Sequence, residues 1–171
     1  MPHTLERDEI LQLIVGLRHC SQIVIGQWAE DLGMDEETAV RLMAPFGGGA
    51  FEGEVCGAVA GALAVIGAKY GHYEFGDAEQ NQIMIGKATE FKQKFKERNG
   101  SIVCRNLLGD FDFSKPGEVE RAQQSGILLE KCPDFIGSAA GTRTESGQRP
   151  EIPGRTSRCS PRRRQIGRAH V

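Results

Sequence analysis

The sequence predicts an all-α fold, a compact multi-helix bundle packed around one central helix of small residues. Apolar residues recur three and four positions apart along most of residues 1–140, which is the spacing of amphipathic helices. No run of alternating β-branched residues, the pattern typical of a strand, lies between these segments. With 171 residues the chain suits one domain, long enough to bury a core without disulfides.

The predicted helix boundaries follow from capping and helix-breaking residues. Helices are predicted over residues 5–17, 21–32, 36–44, 54–70, 79–98, 102–108 and 116–130, and a last one is predicted to begin at Pro133. Asp35 is a predicted N-cap, while Gly33 and Pro45 end the helices before them. Asn99-Gly100 ends the long amphipathic helix. The run Gly47-Gly48-Gly49 predicts a turn, because three consecutive glycines lose too much backbone entropy in a helix.

The segment over residues 54–70 is the predicted central helix. It is the most apolar part of the chain, and small residues recur along it at helical spacing: Gly57, Ala60, Gly61, Ala64, Gly67 and Ala68. Small side chains let a neighbouring helix approach closely. The apolar run of about 14 residues is too short to cross a bilayer core of about 30 Å, so we expect a core helix and no membrane span.

The C-terminal residues 141–171 differ in composition from the rest of the chain. Eight arginines and two glutamates give them a charge of +6, so the formal total of −2 leaves −8 for residues 1–140. Three prolines and few apolar residues predict a disordered, Arg-rich tail. Residues 166–171 resemble the translation of a common sequencing adapter, so we expect the native product to diverge near residue 141. The tail lacks lysine and aromatic residues, and we expect no nucleic-acid partner.

Cysteine usage indicates the compartment. Five cysteines at positions 20, 56, 104, 132 and 159 are odd in number and widely spaced, which is a poor match to a secreted disulfide scaffold. The first residues contain no basic segment followed by an apolar one, so no secretory address is predicted. We therefore expect a cytoplasmic protein whose thiols are redox-active, metal-bound or buried.

Setting the tail aside leaves four cysteines, all predicted at helix starts: Cys20, Cys56, Cys104 and Cys132. Cys104 follows a predicted N-cap, Ser101, and Cys132 precedes Pro133, a residue type favoured at the first helical position. The first turn of a helix leaves N–H groups unpaired and carries the positive end of the dipole, so it favours thiolate over thiol. These four cysteines are therefore the candidate catalytic residues. Cys56 is the predicted reactive thiol, because the preceding glycines permit close approach of another molecule.

Three functions fit a set of four cysteines. In the first, two of them cycle between dithiol and disulfide, as in a thiol–disulfide oxidoreductase or an electron-transfer protein. In the second, Cys20, Cys56, Cys104 and Cys132 bind zinc or an iron–sulfur cluster. In the third, they are reduced, buried residues of a structural helical domain. No Cys-x-x-Cys pair is present to choose between these functions, and His19 beside Cys20 is expected to be a solvated side chain.

Several separated motifs follow one another along residues 8–140. In chain order they are Cys20-Ser21-Gln22, Phe46-Gly47-Gly48-Gly49, Cys56-Gly57-Ala58-Val59-Ala60-Gly61, the segment 99–109 around Cys104, and Lys131-Cys132-Pro133. Together they resemble the small bacterial and archaeal proteins of the C-GCAxxG-C-C family. The resemblance implies a redox-active protein with four functional cysteines and an unidentified redox partner linked to transport, and it leaves the oligomeric state open. Relatives continue a helix after Ala140, where this chain begins its polar tail.

Overall fold

A computed structural model describes residues 5–109 and 111–141 of the chain. Within these residues it contains eight α-helices: α1 (Arg7–Val15), α2 (Cys20–Gly26), α3 (Glu36–Met43), α4 (Gly57–Tyr70), α5 (Ala78–Asn99), α6 (Cys104–Leu108), α7 (Glu118–Ser125) and α8 (Ile127–Ala140). The predicted all-α fold is confirmed. Extended pairing in this part of the chain is limited to one isolated antiparallel bridge, between Val55 and Val103. Apart from Gly141, the predicted tail lies outside the described residues.

The helices begin and end at residues that suit their unpaired backbone groups. At the start of α3 the Asp35 carboxylate accepts a hydrogen bond from the Thr38 backbone N–H at 2.8 Å, so the predicted N-cap is confirmed. Gly100 ends α5 with a φ of 87°, in the left-handed region that glycine adopts without strain. Local sequence signals therefore set both boundaries.

The predicted central helix is α4, which packs against α2, α5 and α8. The main core combines buried apolar side chains from these helices and from α1 and α6, among them Ile10, Val24, Val59, Phe91, Phe95, Leu107 and Ile136. A smaller core lies between α2 and α3. None of the described helices, including the 14-residue α4, combines the length and apolarity needed to cross a membrane.

Two glycines let α4 approach its neighbours closely. A Cβ atom on Gly61 would lie 2.8 Å from the Ser21 carbonyl oxygen and 2.9 Å from the Val24 Cβ. A Cβ atom on Gly57 would lie 2.8 Å from the Phe46 carbonyl oxygen. These distances are shorter than real Cβ contacts, so the close approach requires glycine at both positions, as the small-residue pattern predicts.

The helix boundaries near the C-terminus differ from the prediction. Gly126, with a φ of 77°, separates α7 from α8, and Pro133 lies inside α8. The proline removes one hydrogen bond from the helix. A buried stripe of Cys132, Ile136 and Ala139 nevertheless packs α8 on the core. The predicted helix start at Pro133 is therefore wrong, because burial of this stripe outweighs the preference of proline for the first helical position.

Candidate thiol site

Three of the four candidate cysteines lie at helix starts, as predicted. Cys20 is the first residue of α2, Cys56 is the N-cap residue of α4, and Cys104 is the first residue of α6. Cys132 does not follow this pattern, because it is the sixth residue of the 14-residue α8. The prediction of a helix start is wrong at Cys132, whose thiol gains nothing from the unpaired N–H groups of a first turn.

A short antiparallel pairing brings Cys56 and Cys104 together. The bridge joins Val55 to Val103, the residues that directly precede the two cysteines. The backbone N–H of each cysteine donates a hydrogen bond to a carbonyl oxygen of the paired segment. The N···O distance is 2.9 Å for Cys56 and 2.6 Å for Cys104. Successive residues of an extended segment face opposite sides, so the two cysteines share the side opposite the valines. Val55 is exposed and both cysteines are buried, so the shared side faces the core.

The crossing of α2 and α4 brings Cys20 to the same place. A Cβ atom on Gly57, the residue after Cys56, would lie 3.3 Å from the Cys20 Cβ. Cys132 approaches from α8, which packs against α2, and the Cys132 thiol favours the charged form of Cys20. The four cysteines pack in one core, where each is close enough to the others to affect their ionisation. The structure thus brings all four predicted site residues together.

The four cysteine residues differ in exposure. Cys56, Cys104 and Cys132 are 4%, 6% and 8% exposed, whereas Cys20 is half-buried. All four are free thiols. Cys20 is therefore the most exposed residue of the four.

Cys20 is also the thiol whose ionisation the structure favours. The hydrogen bond from the Cys132 thiol lowers the pKa of Cys20 below its ordinary value. Burial acts in the opposite direction, but it is outweighed by that bond together with the backbone N–H of Cys20 itself. Because the thiolate is the nucleophilic form, this arrangement activates Cys20.

The other three thiols are held protonated. Burial raises the pKa of Cys56 to about 12, and a negative charge on Cys20 adds to the rise, while N–H groups in the first turn of α4 oppose it. Burial likewise raises the pKa of Cys104. For Cys132 the main cause of a raised pKa is the hydrogen bond to Cys20, which requires Cys132 to keep its proton. The four cysteines therefore comprise one whose pKa is lowered and three whose pKa is raised.

The glycine turn (residues 47–53) is anchored beside the start of α2 by His19. This residue is the N-cap of α2, and its Nδ1 lies 2.9 Å from the Ala44 carbonyl oxygen. A carbonyl can only accept, so this nitrogen carries the hydrogen. The ring contacts that of Phe51 edge-on, with 5.2 Å between centroids. His19 is therefore half-buried and hydrogen bonded, and its predicted solvation is wrong because the turn folds over it.

Ser21 is a positioning residue to which the sequence analysis gave no role. It is fully buried, and its Oγ donates to the Met43 carbonyl oxygen at 2.7 Å. This bond ties the first turn of α2 to the end of α3. In the sequence, Ser21 is recognisable only as a serine directly after a candidate cysteine. That position does not show whether the side chain is a buried anchor or an exposed helix cap.

The sequence predicts that these four cysteines bind a metal ion or an iron–sulfur cluster. Within residues 5–109 and 111–141, no three side chains of the His, Cys, Asp or Glu type are arranged to hold a metal ion. A zinc site would need the four sulfurs at about 2.3 Å from one point. The zinc or iron–sulfur site stays a prediction.

Fold and site together define a small all-α protein whose core contains four cysteines, one with a lowered pKa and three with raised pKa values. The family model described as "Putative redox-active protein (C_GCAxxG_C_C)" matches residues 18–146. The chain belongs to this family, and the matched range contains all four cysteines, so the resemblance inferred from the motifs is confirmed. Searches of curated proteins and of solved structures gave no match.

Proposed function

We propose that the protein is a thiol–disulfide redox protein in which Cys20 attacks a disulfide and Cys132 completes the exchange. The observation that carries the proposal is the packing of Cys132 beside Cys20 in the same core, where the Cys132 thiol lowers the pKa of Cys20. The lowered pKa favours the Cys20 thiolate, and the packing places the second sulfur near the first. We call these two cysteines the outer pair.

The reaction begins when the Cys20 thiolate attacks one sulfur of an external disulfide. A mixed disulfide forms between Cys20 and the substrate, and the first substrate thiolate leaves. Cys132 then attacks the Cys20 sulfur, and its proton passes to the second substrate sulfur, which leaves as a thiol. The product is a Cys20–Cys132 disulfide, and two electrons have passed from the protein to the substrate.

Accessibility and ionisation favour Cys20 over Cys56 as the attacking thiol. The glycines before Cys56 form a turn, as predicted, but the sulfur beneath it is buried. Burial also keeps Cys56 protonated, with a pKa of about 12. Cys20 is half-buried and has a lowered pKa. A nucleophilic cysteine needs both access and thiolate character, so Cys20 replaces Cys56 in the proposal.

In the alternative, Cys20, Cys56, Cys104 and Cys132 bind zinc or an iron–sulfur cluster, although no three such side chains within the described residues are arranged to hold a metal ion. Such a site needs all four as thiolates around one point, whereas the dithiol reaction needs the outer pair alone. Protein purified without oxygen distinguishes the two functions. Near-stoichiometric zinc or iron supports the metal site, and folded, metal-free protein that forms the outer disulfide supports the dithiol.

The odd number and wide spacing of the cysteines support a reducing compartment, and we propose that the protein is cytoplasmic. There a dithiol partner would reduce the outer disulfide again. We propose that this partner belongs to a transport system, as the family resemblance implies.

Two substitutions of Cys132 test the proposed function. Cys132→Ala removes both the hydrogen-bond donor and the disulfide partner, whereas Cys132→Ser keeps a hydroxyl donor but cannot form a disulfide. We expect Cys20 in the wild type and in Cys132→Ser to be alkylated by iodoacetamide with a midpoint below about pH 8.5, the ordinary thiol value. Cys132→Ala should shift that midpoint upward. Mass spectrometry of the peptide containing Cys20 across a pH series measures the midpoint.

Excess oxidised glutathione supplies a second measurement on the same proteins. The wild type should form a disulfide between Cys20 and Cys132, and neither variant should form one. The proposed function is contradicted by an unchanged midpoint in Cys132→Ala. It is equally contradicted if the folded wild type forms no such disulfide.

A further inference from the structure

We propose that Cys56 and Cys104 form a second, inner pair that takes over the disulfide from the outer pair by thiol exchange within the chain. This inference rests on the proposed function, and it gives a chemical role to the two buried thiols that the first reaction does not use. The substrate class is a disulfide. Each chain would then reduce two external disulfides and donate four electrons in total.

The backbone prepares the inner pair for a disulfide. Cys56 and Cys104 follow the two bridged valines and lie on the same buried side of the pairing. Diagonal neighbours in such a pairing are about 7–8 Å apart at Cα, with closer Cβ atoms. A disulfide needs Cα atoms within about 7 Å. The pairing therefore places the two cysteines close to the separation that a disulfide requires.

Cys20 connects the two pairs. It packs beside Cys132 in the same core, and the close approach of α2 at Gly57 places it against the start of α4, where Cys56 lies. Cys20 is also half-buried, whereas Cys56 and Cys104 are buried residues of the core. An external disulfide is therefore expected to react at Cys20 first.

The transfer consists of two balanced exchange steps. Cys56 attacks the Cys20 sulfur and breaks the outer disulfide, and Cys132 leaves and receives the proton of Cys56. Cys104 then attacks the Cys56 sulfur, so that Cys20 leaves as a thiolate and the proton of Cys104 passes to solvent. The inner pair has lost two electrons and two protons. The outer pair has regained two electrons and one proton, which restores its starting state.

The ionisation of the thiols supports transfer in this direction. The outer pair regains a stabilised Cys20 thiolate, and stabilisation of the reduced form makes a disulfide more oxidising. Burial raises the pKa values of Cys56 and Cys104, so the reduced inner pair gains no such stabilisation. Electrons are therefore expected to pass from the inner pair to the outer disulfide.

One equivalent of oxidised glutathione per chain tests the transfer. The full-length chain, carrying Cys159→Ser, is kept free of oxygen, quenched with acid, alkylated with N-ethylmaleimide and digested with trypsin. Cleavage after lysine and arginine leaves each of the four cysteines on its own peptide, namely 19–41, 42–69, 99–105 and 132–143. We expect a disulfide between peptides 42–69 and 99–105, with Cys20 and Cys132 alkylated.

Two variants distinguish the transfer from the proposed function. Cys104→Ser removes the thiol that completes the inner disulfide. After one equivalent of oxidised glutathione, the variant should therefore retain a disulfide between Cys20 and Cys132. Cys20→Ser removes the entry, so oxidation of the inner pair should become at least about tenfold slower, because the attacking thiols are then buried and protonated. Circular dichroism checks that both variants are folded.

Each outcome bears on one of the two proposals. If the wild type keeps the Cys20–Cys132 disulfide while both inner thiols are alkylated, the transfer is wrong and the proposed function stands. Oxidation of the inner pair in Cys20→Ser at the wild-type rate also overturns the transfer. If folded Cys104→Ser forms no Cys20–Cys132 disulfide, the proposed function itself fails. The wild-type measurement uses an intact cluster and therefore decides the transfer even where a variant is unfolded.

Discussion

Individual polar residues next to Cys20 hold the start of α2 in place. Ser21 donates to the Met43 carbonyl oxygen at 2.7 Å, and the Gln22 side chain donates to the Val40 carbonyl oxygen at 3.2 Å. Both acceptors lie in the last turns of α3. An attacking thiol that is held in position needs less rearrangement when it reacts. These two side chains are therefore positioning residues for Cys20.

Ser21→Ala is expected to lower the free energy of unfolding by about 1–3 kcal/mol, because the Met43 carbonyl then loses its buried donor. Urea denaturation measures the loss. Ser125→Ala is the matched control, since the exposed Ser125 Oγ makes a comparable bond to the Ala122 carbonyl oxygen at 2.8 Å. Water replaces that bond, so we expect a change within about 0.5 kcal/mol. Equal losses in the two variants would contradict the role of Ser21 as a buried anchor.

The sequence identified the cysteines of the cluster but not their roles. At Cys20, Cys56 and Cys104, nearby turns and caps predict a helix start, and the structure agrees. Reactivity depends instead on burial and on which group faces each sulfur, and neither follows from local sequence. For that reason the sequence favoured Cys56, whereas the fold and its hydrogen bonds favour Cys20.

Among the elements, the crossing of α2 and α4 keeps the cluster together. Gly61→Ala is expected to destabilise the protein by about 1–3 kcal/mol, because overpacking forces neighbouring groups to shift. The new methyl group would lie 2.8 Å from the Ser21 carbonyl oxygen and 2.9 Å from the Val24 Cβ. Urea denaturation of the reduced protein measures the effect.

Gly67→Ala is the matched control on the same helix. A Cβ atom there would meet nothing within 4 Å, so the substitution should stabilise α4 by about 0.5–1 kcal/mol. A loss at Gly67 as large as the loss at Gly61 would show that the crossing of α2 and α4 is not the cause.

The same rules for reading helices succeed in α4 and fail in α8. In α4 the small residues recur with the period of the helix, so the local pattern and the packing agree. In α8 the local preference of Pro133 conflicts with the stripe of Cys132 and Ile136, and burial of the stripe prevails. Gly126, which precedes that stripe, is the signal that could have placed the boundary.

In the whole molecule, the four-thiol cluster depends on the complete fold. Its cysteines belong to the starts of three helices and the middle of a fourth, and positions 20, 56, 104 and 132 are far apart in the sequence. Local patterns cannot pair residues at such separations, so the pairing of Cys20 with Cys132 came from the structure. Folding and thiol ionisation are consequently linked, since three thiols are kept protonated by the core around them.

Alkaline pH should therefore destabilise the reduced protein. A cysteine in the unfolded chain has a pKa of about 8.5, whereas burial raises the pKa of Cys56 to about 12. Between these values the unfolded chain has released a proton that the folded chain retains. The contribution of Cys56 to stability is thus complete below about pH 8.5, and it is lost as the pH rises toward the folded value.

Cys56→Ser removes this titration and provides the comparison. Above about pH 9, the free energy of unfolding of the wild type should fall by about 1.4 kcal/mol per pH unit more steeply than that of the variant. Urea denaturation in a reductant at several pH values measures both slopes. Cys20 contributes no slope in this range, because its pKa is lowered on folding and it is therefore ionised in both the folded and the unfolded chain. Parallel pH profiles would mean that the pKa of Cys56 is the same in the folded and the unfolded chain, and they would contradict the conclusion that the core keeps this thiol protonated.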